Sequence, residues 1–188
     1  MGKIDYTLIK SDRKTVSLQI RDGKIIVRTP KKMKKKDIDR FVCEHADWIA
    51  QHLELERARR EKIDAIEPLS DEEAAALKRA AEEYIPGRVE HFARLLGVDY
   101  KKISYRFQTS RWGSCTSDGN LSFNCLLMLT PYEVVDAIIV HELAHRREMN
   151  HSKKFYAEVL RVYPDYHTHH AYLKQNGSAI MKRNPRSK

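Results

Sequence analysis

The sequence predicts an α+β fold. Three observations point there: short alternating segments in two separate stretches, helices opened by capping signals around them, and one helix that is apolar on nearly every side. At 188 residues the chain can bury one sizeable core or two small ones. With 41% hydrophobic and 32% charged residues, and only seven Gly and six Pro, the composition is globular and excludes disordered or collagen-like chains. The longest strongly apolar run, Cys125–Leu129, falls far short of a membrane span. Residues 1–7 lack the apolar stretch of a secretory signal, and Tyr6 breaks a myristoylation pattern.

Residues 1–66 form the first predicted domain. Val16, Leu18 and Ile20 alternate with polar residues, and Asp22 with Gly23 supplies a hairpin turn before Ile25, Ile26 and Val27. Pro30 ends that second strand. One helix follows, with Ile38, Phe41, Val42, His45, Trp48, Ile49 and Leu53 at helical spacing, continuing through the charged stretch to Ile63. This domain reads as a β-hairpin covered by a helix, without chemistry of its own.

The chain divides near Pro68, and residues 67–177 form the second domain. Ser70 and Glu73 make a capping box at the head of a helix that Pro86 is expected to kink and Gly97 to stop. Residues 103–107 and 121–125 alternate as strands, with a turn signal at 117–120 between them. Thr130 and Glu133 suggest a second capping box, with Pro131 at the first helical position, opening a helix to about Arg147. Ser152 can cap a helix through Phe155, Val159 and Val162. A last helix from about Tyr166 is expected to end at Gly177, leaving residues 178–188 as a basic tail.

The chemistry concentrates in HELAH at 141–145. At about 100° per residue, His141 and His145 share one face of the helix, and Glu142 points into the same space without joining them. Two imidazoles on one ion, with a carboxylate beside them to take a proton from water, is the arrangement of a hydrolytic zinc site. The flank from Val134 to Val140 is apolar, so the two histidines and the glutamate lie on a largely buried helix and need partners. A further ligand is required, and two residues compete for the place. His151 stands six residues after His145, as in the metzincin pattern, but Glu148 occupies the position of that pattern's turn glycine. Asn150, tolerant of left-handed backbone, is the residue expected to make the turn instead. Glu158, on the following helix, is the rival. His167, His169 and His170 read as exposed helix residues rather than a second metal site.

Taken together, HELAH (141–145), NHSKKF (150–155), SRWGSC (110–115) and LSFN (121–124) resemble the YgjP-like metal-dependent hydrolases, a family of metallopeptidase domains similar to SprT-like zincins. The resemblance covers nearly the whole chain, from about Val16 to Gly177. It implies a zincin-like metallopeptidase core with an N-terminal β-hairpin-plus-helix extension, in which His141, His145 and His151 hold zinc and Glu142 is the catalytic carboxylate. Similarity to zincins also implies that residues 121–124 are the edge strand beside the active-site helix, where a substrate peptide adds a strand; Asn124 is then a substrate contact. In SRWGSC, Trp112 reads as a core anchor and Gly113 as a point of close backbone approach. Arg111 is a candidate to hold a substrate carboxylate or phosphate.

The substrate stays open between peptide and nucleotide, because some bacterial members of the family are described as nucleoside triphosphate (UTP) pyrophosphatases. A zinc-dependent metallopeptidase is the principal expectation. A metal-dependent pyrophosphatase is the alternative, and a non-catalytic nucleic-acid-binding protein with structural zinc is the third. The formal net charge of +9 admits nucleic acid as a partner, although no aromatic residues interleave with the cluster Lys31, Lys32, Lys34, Lys35 and Lys36. A histidine-rich site suits zinc or another transition metal better than Mg²⁺. No membrane partner is expected, and no pattern specifies an oligomeric state. Cys43, Cys115 and Cys125, odd in number and without a CxxC pair, read as reduced thiols of a cytoplasmic protein.

Overall fold

The computed structural model describes residues 4–186, which divide into two compact units between Ala65 and Ile66. The first unit is built on a three-stranded sheet of β1 (Thr7–Ser11), β2 (Ser17–Arg21) and β3 (Lys24–Pro30), in the order β1-β3-β2. The hairpin between β2 and β3 turns on Asp22 and Gly23, both at positive φ (53° and 71°), as a two-residue turn between twisted strands requires. β3 carries the alternation, burying Ile25, Val27 and Thr29. β1 runs parallel to β3 and was not expected from the sequence, because its residues are mostly exposed and show no apolar alternation. The expected single helix is two, α1 (Lys35–Glu44) and α2 (Ala46–Asp64). They part at His45, whose ring Nδ1 donates to the Phe41 carbonyl at 2.8 Å while its backbone N–H turns to Val42. Ile38, Val42 and Ile49 close onto Ile25 and Val27 to form this unit's core.

The second unit opens with α3 (Asp71–Leu96). Its capping box is formed at both ends: Glu73 N–H donates to Ser70 Oγ, and Ser70 N–H donates to the Glu73 carboxylate at 2.7 Å. The helix runs as one element across Pro86 and stops at Gly97, which takes left-handed backbone at φ 66°. β4 (Lys102–Arg106), β5 (Gly113–Cys115) and β6 (Asn120–Asn124) follow, in the order β4-β6-β5. The strand formed by residues 120–124 is therefore central, and the expectation of an edge strand at 121–124 is corrected. β6 pairs in parallel with β4 and antiparallel with β5, so both its edges are taken and β4 and β5 are the edge strands.

A 3₁₀ turn at Cys125–Leu129 leads to α4 (Tyr132–Ala144). The second capping box does not form. Thr130 Oγ1 donates back to the Leu127 carbonyl at 2.7 Å, leaving Pro131 at the cap position. α4 also ends earlier than expected, at Ala144 rather than Arg147. Ten of its thirteen residues are buried, which is why its sequence reads as apolar all round. α5 (Lys153–Val162) is capped by Ser152, which accepts from Phe155 N–H. α6 (Tyr166–Lys182) passes through Gly177 instead of ending there. A Cβ at 177 would stand 3.1 Å from Trp112 Cζ2, so glycine there serves close packing, and Ile180 carries the buried face onward. The expected tail at 178–188 is corrected accordingly: residues 178–182 are helical, the Arg183 carbonyl accepts from Leu69 N–H at 2.9 Å, and Asn184 is fully buried. Among the described residues, no helix is long and apolar enough to cross a membrane.

Candidate metal centre

α4 presents His141 and His145 at its last turn, and the chain then bends back so that α5 begins beside them. The bend is made by successive backbone bonds, from Arg146 N–H to Leu143 and from Arg147 and Glu148 N–H to Ala144. Asn150 is not left-handed as expected; Asp22 is the non-glycine residue at positive φ among those described. The result carries His151 onto the other two. One nitrogen from each of His141, His145 and His151 lies within 4.8 Å of the others, and His141 Nε2 and His151 Nε2 are 3.0 Å apart.

The hydrogen bonds at the far side of the rings fix how these imidazoles face. His145 Nδ1 lies 3.2 Å from the Glu148 carbonyl, which can only accept, so Nδ1 carries the proton and Nε2 keeps its lone pair. His141 Nδ1 is 2.8 Å from the hydroxyl of Tyr166, a fully buried residue at the start of α6. With that Nδ1 donating, His141 Nε2 keeps its lone pair and faces His151 Nε2. Nitrogens bound at 2.0–2.1 Å to a tetrahedral ion sit about 3.3 Å apart, close to the spacing found here. Burial drives the His141 pKa down to about 3, helped by His145, His151 and His170, and burial also lowers that of His145. Neutral imidazoles are the form that binds a metal. The donor set thus fits a transition-metal ion.

Phe155 forms the floor. Its ring is fully buried, with centroids 4.9, 4.7 and 4.9 Å from those of His141, His145 and His151. Glu142 is buried and has no hydrogen-bond partner among the described residues; burial raises its pKa to about 8, against the opposing charge of Arg111. Gly113 of β5 lies against it: a Cβ there would meet Glu142 Cγ and Oε1 at 2.7 Å. Cys115, also on β5, is half-buried and pushed up to about 11 by burial and by Glu142.

A family model for the YgjP-like metallopeptidase domain matches residues 14–75 and 67–176. The chain belongs to this family. Its members are metallopeptidase domains, so a metal ion and hydrolytic chemistry come with membership. Among solved structures, the metallopeptidase zymogen of Pyrococcus abyssi abylysin is similar at a TM-score of 0.45 and 20% identity, over 49% of this chain and 93% of that one. No curated protein matches the sequence.

In this YgjP-like domain His141, His145 and His151 come together; Glu142 follows His141 on α4 as a buried carboxylate, with Arg111 near enough for its charge to act on it. Asn124 does not join them. It is fully buried, its Nδ2 donates to the Gln108 and Arg111 carbonyls at 2.8 and 2.9 Å, and its Oδ1 accepts from Leu126 N–H. The expected substrate contact is instead a structural clamp. The rival ligand Glu158 is turned away into ion pairs with Arg161 and Arg147. His169 bonds the Tyr163 hydroxyl, and His170 stacks on Tyr166. Tyr166 and Phe155 were missed as parts of the site. The helical phase that puts Tyr166 under His141 spans 25 residues, and nothing local in the sequence signals it.

Proposed function

We propose that the protein is a zinc-dependent metallopeptidase with a zincin-like core, in which His141, His145 and His151 hold the ion and Glu142 is the general base. The observation that carries this reading is the three-imidazole cluster, with a buried carboxylate at the residue next to His141 on the same helix. When bound, the ion supplies Lewis acidity, making an adjacent water more acidic and the scissile carbonyl more electrophilic. Glu142 takes the proton from the attacking water and returns it to the leaving amine. A pKa near 8 without metal is already close to neutrality, and a dication nearby draws it lower, so the carboxylate is ionised when the water reacts. Glycine at 113 leaves the space that the Glu142 side chain occupies, which any Cβ there would enter. β5, as an edge strand, offers free backbone groups to an extended peptide. Arg111, exposed beside the site, is suited to hold an anionic part of that substrate.

The test is bound metal together with hydrolysis of casein-type peptides and of a nucleoside triphosphate panel, in parent and Glu142→Gln proteins. The expected result is about one metal per chain in both, with peptide cleavage lost by a factor of about 10³ or more in the variant. Equal cleavage in both proteins removes Glu142 from the mechanism, and cleavage of triphosphates alone replaces the peptidase reading with the pyrophosphatase one.

A further inference from the structure

The loop between β4 and β5 walls a cavity of about 400 Å³, lined by Arg106, Gln108, Thr109, Ser110, Arg111 and Arg186 among others, none of them acidic. Elsewhere in this unit Arg88, Arg146, Arg147, Arg161 and Arg183 are each engaged by a carboxylate. Arg106 and Arg186 make no ion pair with a carboxylate among the described residues, and Arg111 meets one acidic group through its charge alone, Glu142. Three guanidinium groups line one cavity that has no acidic lining residue, and an oxyanion is the group such a lining suits.

The backbone beneath these arginines is fixed. Asn124 holds the Gln108 and Arg111 carbonyls from one side. Asn184 donates its Nδ2 to the same Gln108 carbonyl at 2.9 Å and accepts from Arg186 N–H at 2.9 Å. Both asparagines are fully buried, so the loop and the C-terminal segment are tied to one anchor point. Arg106 ends a paired strand. The cavity also lies next to the proposed chemistry. Two residues of chain, at most about 7 Å, separate Arg111 from Gly113, which touches Glu142.

We propose that this cavity is a substrate subsite that receives an oxyanion, a carboxylate or a phosphate, held by Arg106, Arg111 and Arg186. Its place in substrate recognition rests on the hydrolase reading above; its capacity to bind an anion does not. Planar guanidinium forks can grip either oxyanion bidentately, and a peptide so anchored is positioned for cleavage a short distance from its charged group.

Two measurements test this on the zinc-loaded full chain. The first is calorimetric titration with inorganic phosphate and, separately, with N-acetylglycine, on parent and on the Arg106→Ala/Arg186→Ala variant. Both side chains are exposed, and circular dichroism checks that the variant is folded. Binding is expected to weaken at least tenfold in the variant for one of the two probes, and that probe names the anion. Phosphate held by the zinc itself contributes equally to parent and variant, so equal binding of both probes overturns the subsite. The second measurement compares cleavage of peptide mixtures with free and with amidated C-termini. The parent is expected to favour the anionic set through KM, and the variant to lose that preference. A parent that cleaves both sets equally overturns the role in recognition. A parent that cleaves neither defeats the peptidase reading, and the titration still decides whether the cavity binds anions.

Discussion

The two units fold three strands in the same way, β1-β3-β2 and β4-β6-β5, each with one parallel and one antiparallel neighbour to its central strand. They differ in the helix that follows. α1 buries only Ile38 and Val42, a narrow stripe with a solvated back. α4 buries ten of thirteen residues, and beyond its exposed first turn, which carries Glu133, it has no solvated stripe. Polar burial follows the same division. The first unit buries Thr29, while the second buries Asn124, Thr130, Asp136, Glu142 and Asn184. Within α4 the two carboxylates are themselves a contrast. Asp136 is answered by Arg88 at 2.6 and 2.9 Å and by the Tyr84 hydroxyl, whereas Glu142 has no hydrogen-bond partner among the described residues. Paired, a buried acid holds elements together; unpaired, it costs stability and is free for proton transfer.

The sharpest way to break this comparison uses the two tryptophans, Trp48 in the first unit and Trp112 in the second. Trp48→Phe leaves Trp112 as reporter, and Trp112→Phe leaves Trp48. A thousandfold excess of zinc over its Kd stabilises whatever holds it by about 4 kcal/mol. The denaturation midpoint read at Trp112 is expected to shift by that amount and the midpoint read at Trp48 to stay. A shared shift would mean that the units unfold together.

The next effect concerns the cost of Glu142 itself. Its folded pKa of about 8 lies above the ordinary value of 4.5, so between those values the native state binds the proton that the unfolded state has lost. Stability of the metal-free protein therefore falls as pH rises through that window. Metal-free Glu142→Gln is expected to match its parent near pH 4.5 and to exceed it by on the order of 3 kcal/mol at pH 9, measured by urea unfolding. A constant difference across pH would show that burial does not hold Glu142 protonated.

Much of this was readable from local chemistry. Ser70 with Glu73, Gly97, and Asp22 with Gly23 act over a few residues, and each behaves as its local chemistry requires. His141 and His145 share a helical face by spacing alone, with Glu142 to one side of it. The misreadings arise where a partner distant in sequence decides. Gly177 continues a helix because Trp112 needs the room. Asn124 is withdrawn from the surface because two loop carbonyls 13 and 16 residues earlier claim its amide. β5 is too short, at three residues, to show alternation, yet it forms a sheet edge. Thr130 does not cap; its hydroxyl is turned back onto the Leu127 carbonyl of the preceding 3₁₀ turn.

The smallest effect probes how firmly the second unit orients its imidazoles. His145 is held by a backbone carbonyl, which no side-chain substitution removes, whereas His141 depends on the Tyr166 hydroxyl. Tyr166→Phe deletes that one oxygen and keeps the buried ring. Without its acceptor the His141 Nδ1–H loses its preference, and the tautomer with a protonated Nε2, which cannot ligate, becomes competitive. Zinc affinity, measured by competition with a chelator, is expected to fall by about 10- to 100-fold. Tyr163→Phe is the matched control: its hydroxyl bonds the Glu133 carbonyl and His169 in the same unit and touches none of the three clustered imidazoles. Loss of affinity in the first variant alone assigns the hydroxyl to ligand orientation. Equal losses in both would trace the effect to general loosening of the unit, and His141 would then owe its orientation to packing on Phe155 rather than to Tyr166.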